Sequence, residues 1–203
     1  MEKGEIVPKN GAPGFLSQRR DRTTPMDILI RIALALITPT SDADAEALNR
    51  FAPTYVTVEA ARAHVWSARV AAAVYEVDPD MVLAISYHES RFTDNVVAAE
   101  PGNRVSCGAM TPYPTATCTS KSLLAQYFDG TRHWAVDWRR AGDVRNEREA
   151  LLGYAGGYFL IRRCRQGPVL RNKTRGDDLC KTPEVFGGIR ARIIRARKVQ
   201  ENT

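Results

Sequence analysis

Apolar residues recur with a helical period along most of this chain. From Thr57 to Tyr75 the positions Trp66, Val70, Ala73 and Val74, continued by Val77, lie on one face of a helix. The step Val77-Asp78-Pro79 closes that helix and opens the next, because Asp78 suits an N-cap and Pro79 the first helical position. The second helix runs toward Phe92, with Val82, Ile85, Ser86 and Glu89 at i, i+3, i+4 and i+7. A third is predicted over Thr119–Phe128, with Leu123, Leu124, Tyr127 and Phe128 inward. A fourth spans Glu147–Cys164 with Leu151, Tyr154, Tyr158 and Ile161 as its stripe; Gly153, Gly156 and Gly157 lower its helicity and either mark a close approach or break it. A fifth covers Glu184–Gln200, with Ile189, Ile193 and Ala196 inside and its arginines on a solvated face. Residues 165–183 read as a long loop, and a small hairpin is placed between Asn95 and Cys107. No run of alternating strands appears, so the predicted fold class is mainly α with little or no sheet.

The N-terminal quarter is different. Residues 1–25 read as a flexible tail rich in glycine and proline, with Arg19, Arg20 and Arg22 forming a basic run. Met26–Ile37 is an apolar run interrupted by Arg31, much shorter than the ~20 residues of a membrane span. It fits two descriptions equally: the core of a signal peptide, with Ala43-Asp44-Ala45 as a cleavage-like site, or a short amphipathic helix packed on the domain. Residues 26–56 are therefore read as this segment plus a linker, and 57–200 as the folded domain.

A length of 203 residues suffices for one domain with a substantial core. The charge is +6, which favours an anionic partner such as cell-wall polymer, nucleic acid or a membrane surface. Neither a zinc-finger spacing nor an RNA-binding aromatic signature is present, which argues against nucleic acid. Four cysteines, Cys107, Cys118, Cys164 and Cys180, permit three pairings. Local pairing, Cys107–Cys118 and Cys164–Cys180, staples two loop-rich segments; four buried free thiols is the other reading. An even count beside predicted loops favours disulfides and hence an oxidising destination.

The candidate chemistry centres on Glu89. A carboxyl group at the end of an apolar stripe is partly desolvated, which raises its pKa and suits a general acid; a helix-terminal ion pair with Arg91 is the plainer role. Three segments then bear on the choice. They are Glu89-Ser90-Arg91-Phe92; Gly108-Ala109-Met110-Thr111 with Pro114, Thr115 and Ala116 behind it; and Tyr154-Ala155-Gly156-Gly157. In order and approximate spacing they resemble the Glu-Ser-x-Phe, Gly-Leu-Met-Gln with Pro-x-Thr-Ala, and Ala-Tyr-Asn-x-Gly motifs of the lytic transglycosylase family. The resemblance covers roughly residues 57–165. Thr111 stands where the family has Gln, Ala109 where it has Leu and Ala155 where it has Asn, and one residue is missing between Met110 and Thr115. These departures touch the substrate cleft more than the reaction.

The resemblance implies a lysozyme-like catalytic domain of the goose-type lysozyme and lytic transglycosylase kind. It implies cleavage of peptidoglycan glycan strands with Glu89 as the single acid and base, and Tyr154 orienting it. Ser90, Gly108, Met110, Thr111 and Gly157 would line the substrate site, with no metal or other cofactor. The expected setting is the cell envelope, periplasmic or exported, or a phage virion with an assembly partner there. His88, about 100° round the helix from Glu89, is read as a surface or supporting residue. Asp94 is the candidate second carboxylate for the alternative of a hydrolytic muramidase. Trp134 and Trp138, flanking Asp137, suit ordinary packing better than sugar stacking. A third alternative is a wall-binding or virion protein that keeps the fold without activity.

Overall fold

The computed structural model describes residues 24–93, 97–100, 104–110, 113–114, 121–172 and 177–201. Among them are α1 (Pro25–Ile37), α2 (Asp42–Phe51), α3 (Val58–Tyr75), α4 (Pro79–Ser90), α5 (Leu123–Arg132), α6 (Glu147–Gln166) and α7 (Thr182–Glu201). Three short strands, β1 (Val97–Glu100), β2 (Arg104–Cys107) and β3 (Tyr113–Pro114), form an antiparallel sheet in sequence order. Two more, β4 (Leu170–Asn172) and β5 (Asp177–Asp178), form a hairpin. The fold is mainly α, and β1–β2 is the hairpin expected between Asn95 and Cys107.

The core is built around α4. Met81 to Ser86 are all buried, six consecutive residues, so this helix is enclosed on every side. Asp78 caps it, its carboxylate accepting the Asp80 amide, and Pro79 opens it as expected. The helix packs between α3 and α7, and α2 packs on both of those. The stretch before Thr57 was expected to be a linker. Instead Ser41 caps α2, whose Ala45, Ala47 and Leu48 are buried. The alanine-rich composition hid a face that only neighbouring helices complete. Ion pairs then fasten α7 across the bundle: Arg197 reaches both Asp44 (3.0 Å) and Asp80, and Arg190 reaches Asp78.

Two helices differ from their expected form. The third predicted helix starts later, at Leu123 under a Ser122 cap, and runs to Arg132. It continues as a π-helical turn over His133–Trp138. The fourth is broken. Gly156 and Gly157 leave helical geometry, Gly157 at φ +68°, and the chain reverses there. Leu151 and Tyr154 therefore face the main core, whereas Leu160 and Ile161 join Leu152 in a second small cluster. Tyr158 is exposed. The single stripe expected across these residues does not exist, because it assumed one continuous helix. Residues 165–183, expected to be loop, hold the β4–β5 hairpin and a short 3-10 turn, Leu179–Lys181. The Cys164–Cys180 disulfide ties them to α6. Cys118 lies outside the described residues, and the expected Cys107–Cys118 disulfide with it.

Candidate active site

Glu89 occupies the last turn of α4. The chain leaves that turn through two left-handed residues, Arg91 at φ 54° and Phe92 at φ 62°. Each conformation costs of order 1–3 kcal/mol for a residue with a side chain, so something must hold it. Phe92 is buried, its ring 5.4 Å from Tyr87 and 5.2 Å from His64. The Glu89 side chain, two residues before this exit, is 22% exposed.

His88 is closer to Glu89 than helical geometry suggested. Its Nδ1 lies 3.1 Å from Glu89 Oε1, and its ring stands edge-on to Phe186 of α7 at 4.8 Å. His88 is thus a direct partner of the carboxylate.

Against the Ser86 and Ser90 face of α4 runs the buried turn Gly108-Ala109-Met110. Ser86 and Ser90, one turn apart on α4, both donate to the Ala109 carbonyl at 3.0 and 2.8 Å. The Ala109 amide donates to Gln126 Oε1 of α5 at 2.7 Å. Gly108 sits at φ +90°, and a Cβ there would lie 2.8 Å from that same oxygen. The Met110 carbonyl accepts the hydroxyl of Tyr154 from α6. Three helices therefore converge on three residues of backbone. Met110 itself is fully buried, against Gly130 and the Thr131 hydroxyl, so it supports the turn and offers a ligand no surface. Ser90 also bonds the Ser86 carbonyl at 2.9 Å, so its hydroxyl serves the helix end. Tyr154 was expected to orient Glu89; its hydroxyl donates to the Met110 carbonyl, so it braces the turn. Gly157 lies at the α6 break, beside Trp138. Asp94 and Thr111 lie outside the described residues.

A buried relay escaped the sequence reading. His64 Nδ1 lies 2.8 Å from the Tyr127 hydroxyl, which donates to Ser86 Oγ at 2.9 Å, and Ser86 passes the chain on to Ala109. Burial pushes the Tyr127 hydroxyl well above its ordinary pKa, so it remains a donor. Two hydroxyl residues at i and i+4 on a fully buried helix face, Ser86 and Ser90, were the available signal. Beyond Tyr154 lies an aromatic ridge. His133 is 5.6 Å from Tyr154 and accepts the Trp138 indole N–H at 3.2 Å; Trp138 stacks edge-on with Tyr158 at 4.9 Å. Trp134 is buried and Trp138 half-buried, which is the packing role expected of both. A cleft of about 430 Å³ opens past Tyr158, lined by Arg145, Arg162 and Arg165. Among the described residues no group of His, Cys, Asp and Glu is placed to hold a metal ion.

No family model, curated protein or solved structure matches this chain.

Proposed function

We propose that this chain is a peptidoglycan lytic transglycosylase with Glu89 as its acid and base. The observation that carries the reading is the convergence just described. The segments bearing the three family-like motifs, distant in sequence, meet around the Ala109 and Met110 carbonyls, against Ser90, the chain neighbour of the partly buried Glu89. Structural ion pairs do not need such a support. A group that must sit within a fraction of an ångström of a scissile bond does.

In this mechanism the protonated Glu89 gives its proton to the glycosidic oxygen between N-acetylmuramic acid and N-acetylglucosamine. The C–O bond breaks and the glucosamine end leaves as an alcohol. The Glu89 carboxylate then takes the proton of the muramoyl 6-hydroxyl, whose oxygen attacks its own anomeric carbon. The product is a 1,6-anhydro end; no water is consumed and Glu89 returns protonated. Intramolecular attack replaces a bound nucleophile, so a second carboxylate is unnecessary. His88 holds the Glu89 oxygen that is not delivering the proton. The +6 net charge suits an anionic wall, and the Cys164–Cys180 disulfide suits an envelope or virion setting.

Digestion of purified peptidoglycan in ¹⁸O-labelled water, with product ends read by mass spectrometry, tests this. Unlabelled anhydro-muramoyl ends that disappear with Glu89→Gln, while the melting temperature is unchanged, are the expected result. Labelled reducing ends would make the enzyme a hydrolytic muramidase. No products from the wild-type chain would make it a wall-binding or virion protein.

A further inference from the structure

The helix α1 has two apolar faces, and the body of the protein uses only one. Ile28, Ile32 and Ala35 lie on one side of the helix and are half-buried where α1 packs against α3. At 100° per residue, Met26, Leu29, Ile30, Ala33, Leu34 and Ile37 form the opposite stripe, at i, i+3, i+4, i+7, i+8 and i+11. Every one is exposed, the five large side chains by 50% to 74% of their surface. A water-facing stripe of this kind on a folded domain marks a contact surface.

Charge at its edge points to the partner. Arg31 (α1), Arg139 and Arg140 (after the π-helical turn) all gather at Glu76, where α3 ends. Arg31 lies 3.5 Å and Arg140 4.0 Å from its carboxylate, while Arg139 donates to its backbone carbonyl at 3.1 Å. Two guanidinium groups thus share one carboxylate with a third on the adjacent backbone carbonyl, and all three arginines are exposed. The nearest acid on α1, Asp27, is spent on the Thr24 capping box. In sequence, Arg19, Arg20 and Arg22 precede the helix within six residues. An apolar stripe with a cationic rim matches an anionic bilayer surface, with the side chains among the acyl chains and the arginines at the headgroups. The 13-residue helix is about 20 Å long, short of the ~30 Å hydrocarbon core, so it lies in the interface plane. A second copy fits less well. A standard interface takes about 800 Å² from each partner and a helical zipper three or more heptads, and this stripe has fewer than two.

We propose that α1 is an interfacial anchor that docks the protein onto anionic lipid membranes through the Met26–Ile37 stripe. The proposal is independent of the catalytic reading. Sedimentation of the full chain with vesicles of equal phosphatidylglycerol and phosphatidylcholine, against pure phosphatidylcholine, tests it. The wild type should partition at least tenfold more strongly onto the anionic vesicles, and less as salt rises. Leu29→Glu with Leu34→Glu, and separately Ile37→Glu, should each lose that binding while circular dichroism stays native, because all three positions face water. Wild-type protein left in the supernatant, or variants that sediment equally, would overturn it. So would a dimer by light scattering that the Leu29→Glu/Leu34→Glu variant abolishes, which assigns the stripe to a second copy. Protein from its source cells whose intact mass lacks residues 25–37 would assign the helix to a removed leader and overturn it as well.

Discussion

Glu149 and Arg165 offer the sharpest test of the α6 geometry. Were Glu147–Gln166 one straight helix, these residues would be about 24 Å apart, at 1.5 Å per residue. Instead Arg165 grips Glu149 with two hydrogen bonds, 2.8 Å from Nε to Oε1 and 2.6 Å from Nη2 to Oε2, and the Arg145 amide adds a third at 2.9 Å. The pair therefore exists only because the chain reverses at Gly156–Gly157. The Arg165 hydrogen bonds, opposed by burial and helped by the Arg145 amide, hold the Glu149 carboxyl well down, from 4.5 to about 2. A folded pKa below the unfolded one means the stabilisation is complete above about pH 4.5 and is lost as pH falls toward 2. At ~1.4 kcal/mol per pH unit the full effect is about 3 kcal/mol. Glu149 is 10% exposed but Arg165 32%, so solvent screening reduces this to about 2 kcal/mol. The assay is urea unfolding of the wild type and Glu149→Gln between pH 7 and 2.5. Taking the difference cancels every other titrating group. Near pH 7 the variant should be about 2 kcal/mol less stable, and the gap should close below pH 4 as the wild-type carboxyl protonates. A gap that stays constant to pH 3, or that is under ~0.5 kcal/mol at pH 7, refutes the clamp and with it the reversed α6.

Tyr154→Phe removes the donor to the Met110 carbonyl, and should lower turnover on peptidoglycan several-fold with little change in substrate affinity; an unchanged kcat would separate Tyr154 from the site. Reducing Cys164–Cys180 opens a 16-residue loop and should cost about 3 kcal/mol, read as a lower urea midpoint in the Cys164→Ser/Cys180→Ser variant. Gly108→Ala places a methyl group at φ +90° against Gln126, and should destabilise by about 1–2 kcal/mol while displacing the turn bonded to Ser90, seen as a joint loss of melting temperature and turnover. His88→Ala removes the partner 3.1 Å from Glu89 and should lower turnover several-fold without lowering stability appreciably, because the side chain is itself one third exposed; unchanged turnover would show that the contact does not hold the carboxyl for the reaction.

Local signals in the sequence determined much of this protein. Asp78-Pro79 announces the start of α4 because a cap and a fixed φ act within a single turn. The periodicity of α7 predicts its buried face through Ile189 and Ile193, whereas α3 buries Ala61, His64, Val65, Ala68, Ala71 and Ala72, and of its expected stripe only Val70 is fully buried, because small alanines rather than Trp66 face the packed neighbours. The Cys164–Cys180 pair was legible from its short separation. Other features depended on which segments meet. Ser86 and Ser90 look like ordinary helix residues until the Ala109 carbonyl arrives from nineteen or more positions away. Tyr154 carries its hydroxyl to Met110 across forty-four positions, a contact no local pattern encodes. Glycines in α6 permitted either a straight or a broken helix. The break was decided by the second cluster around Leu152, Leu160 and Ile161 and by the Glu149–Arg165 clamp, which form only in the reversed chain. The two-sided character of α1 likewise emerges only once α3 covers one face, since period alone does not say which side of an apolar helix will remain in water.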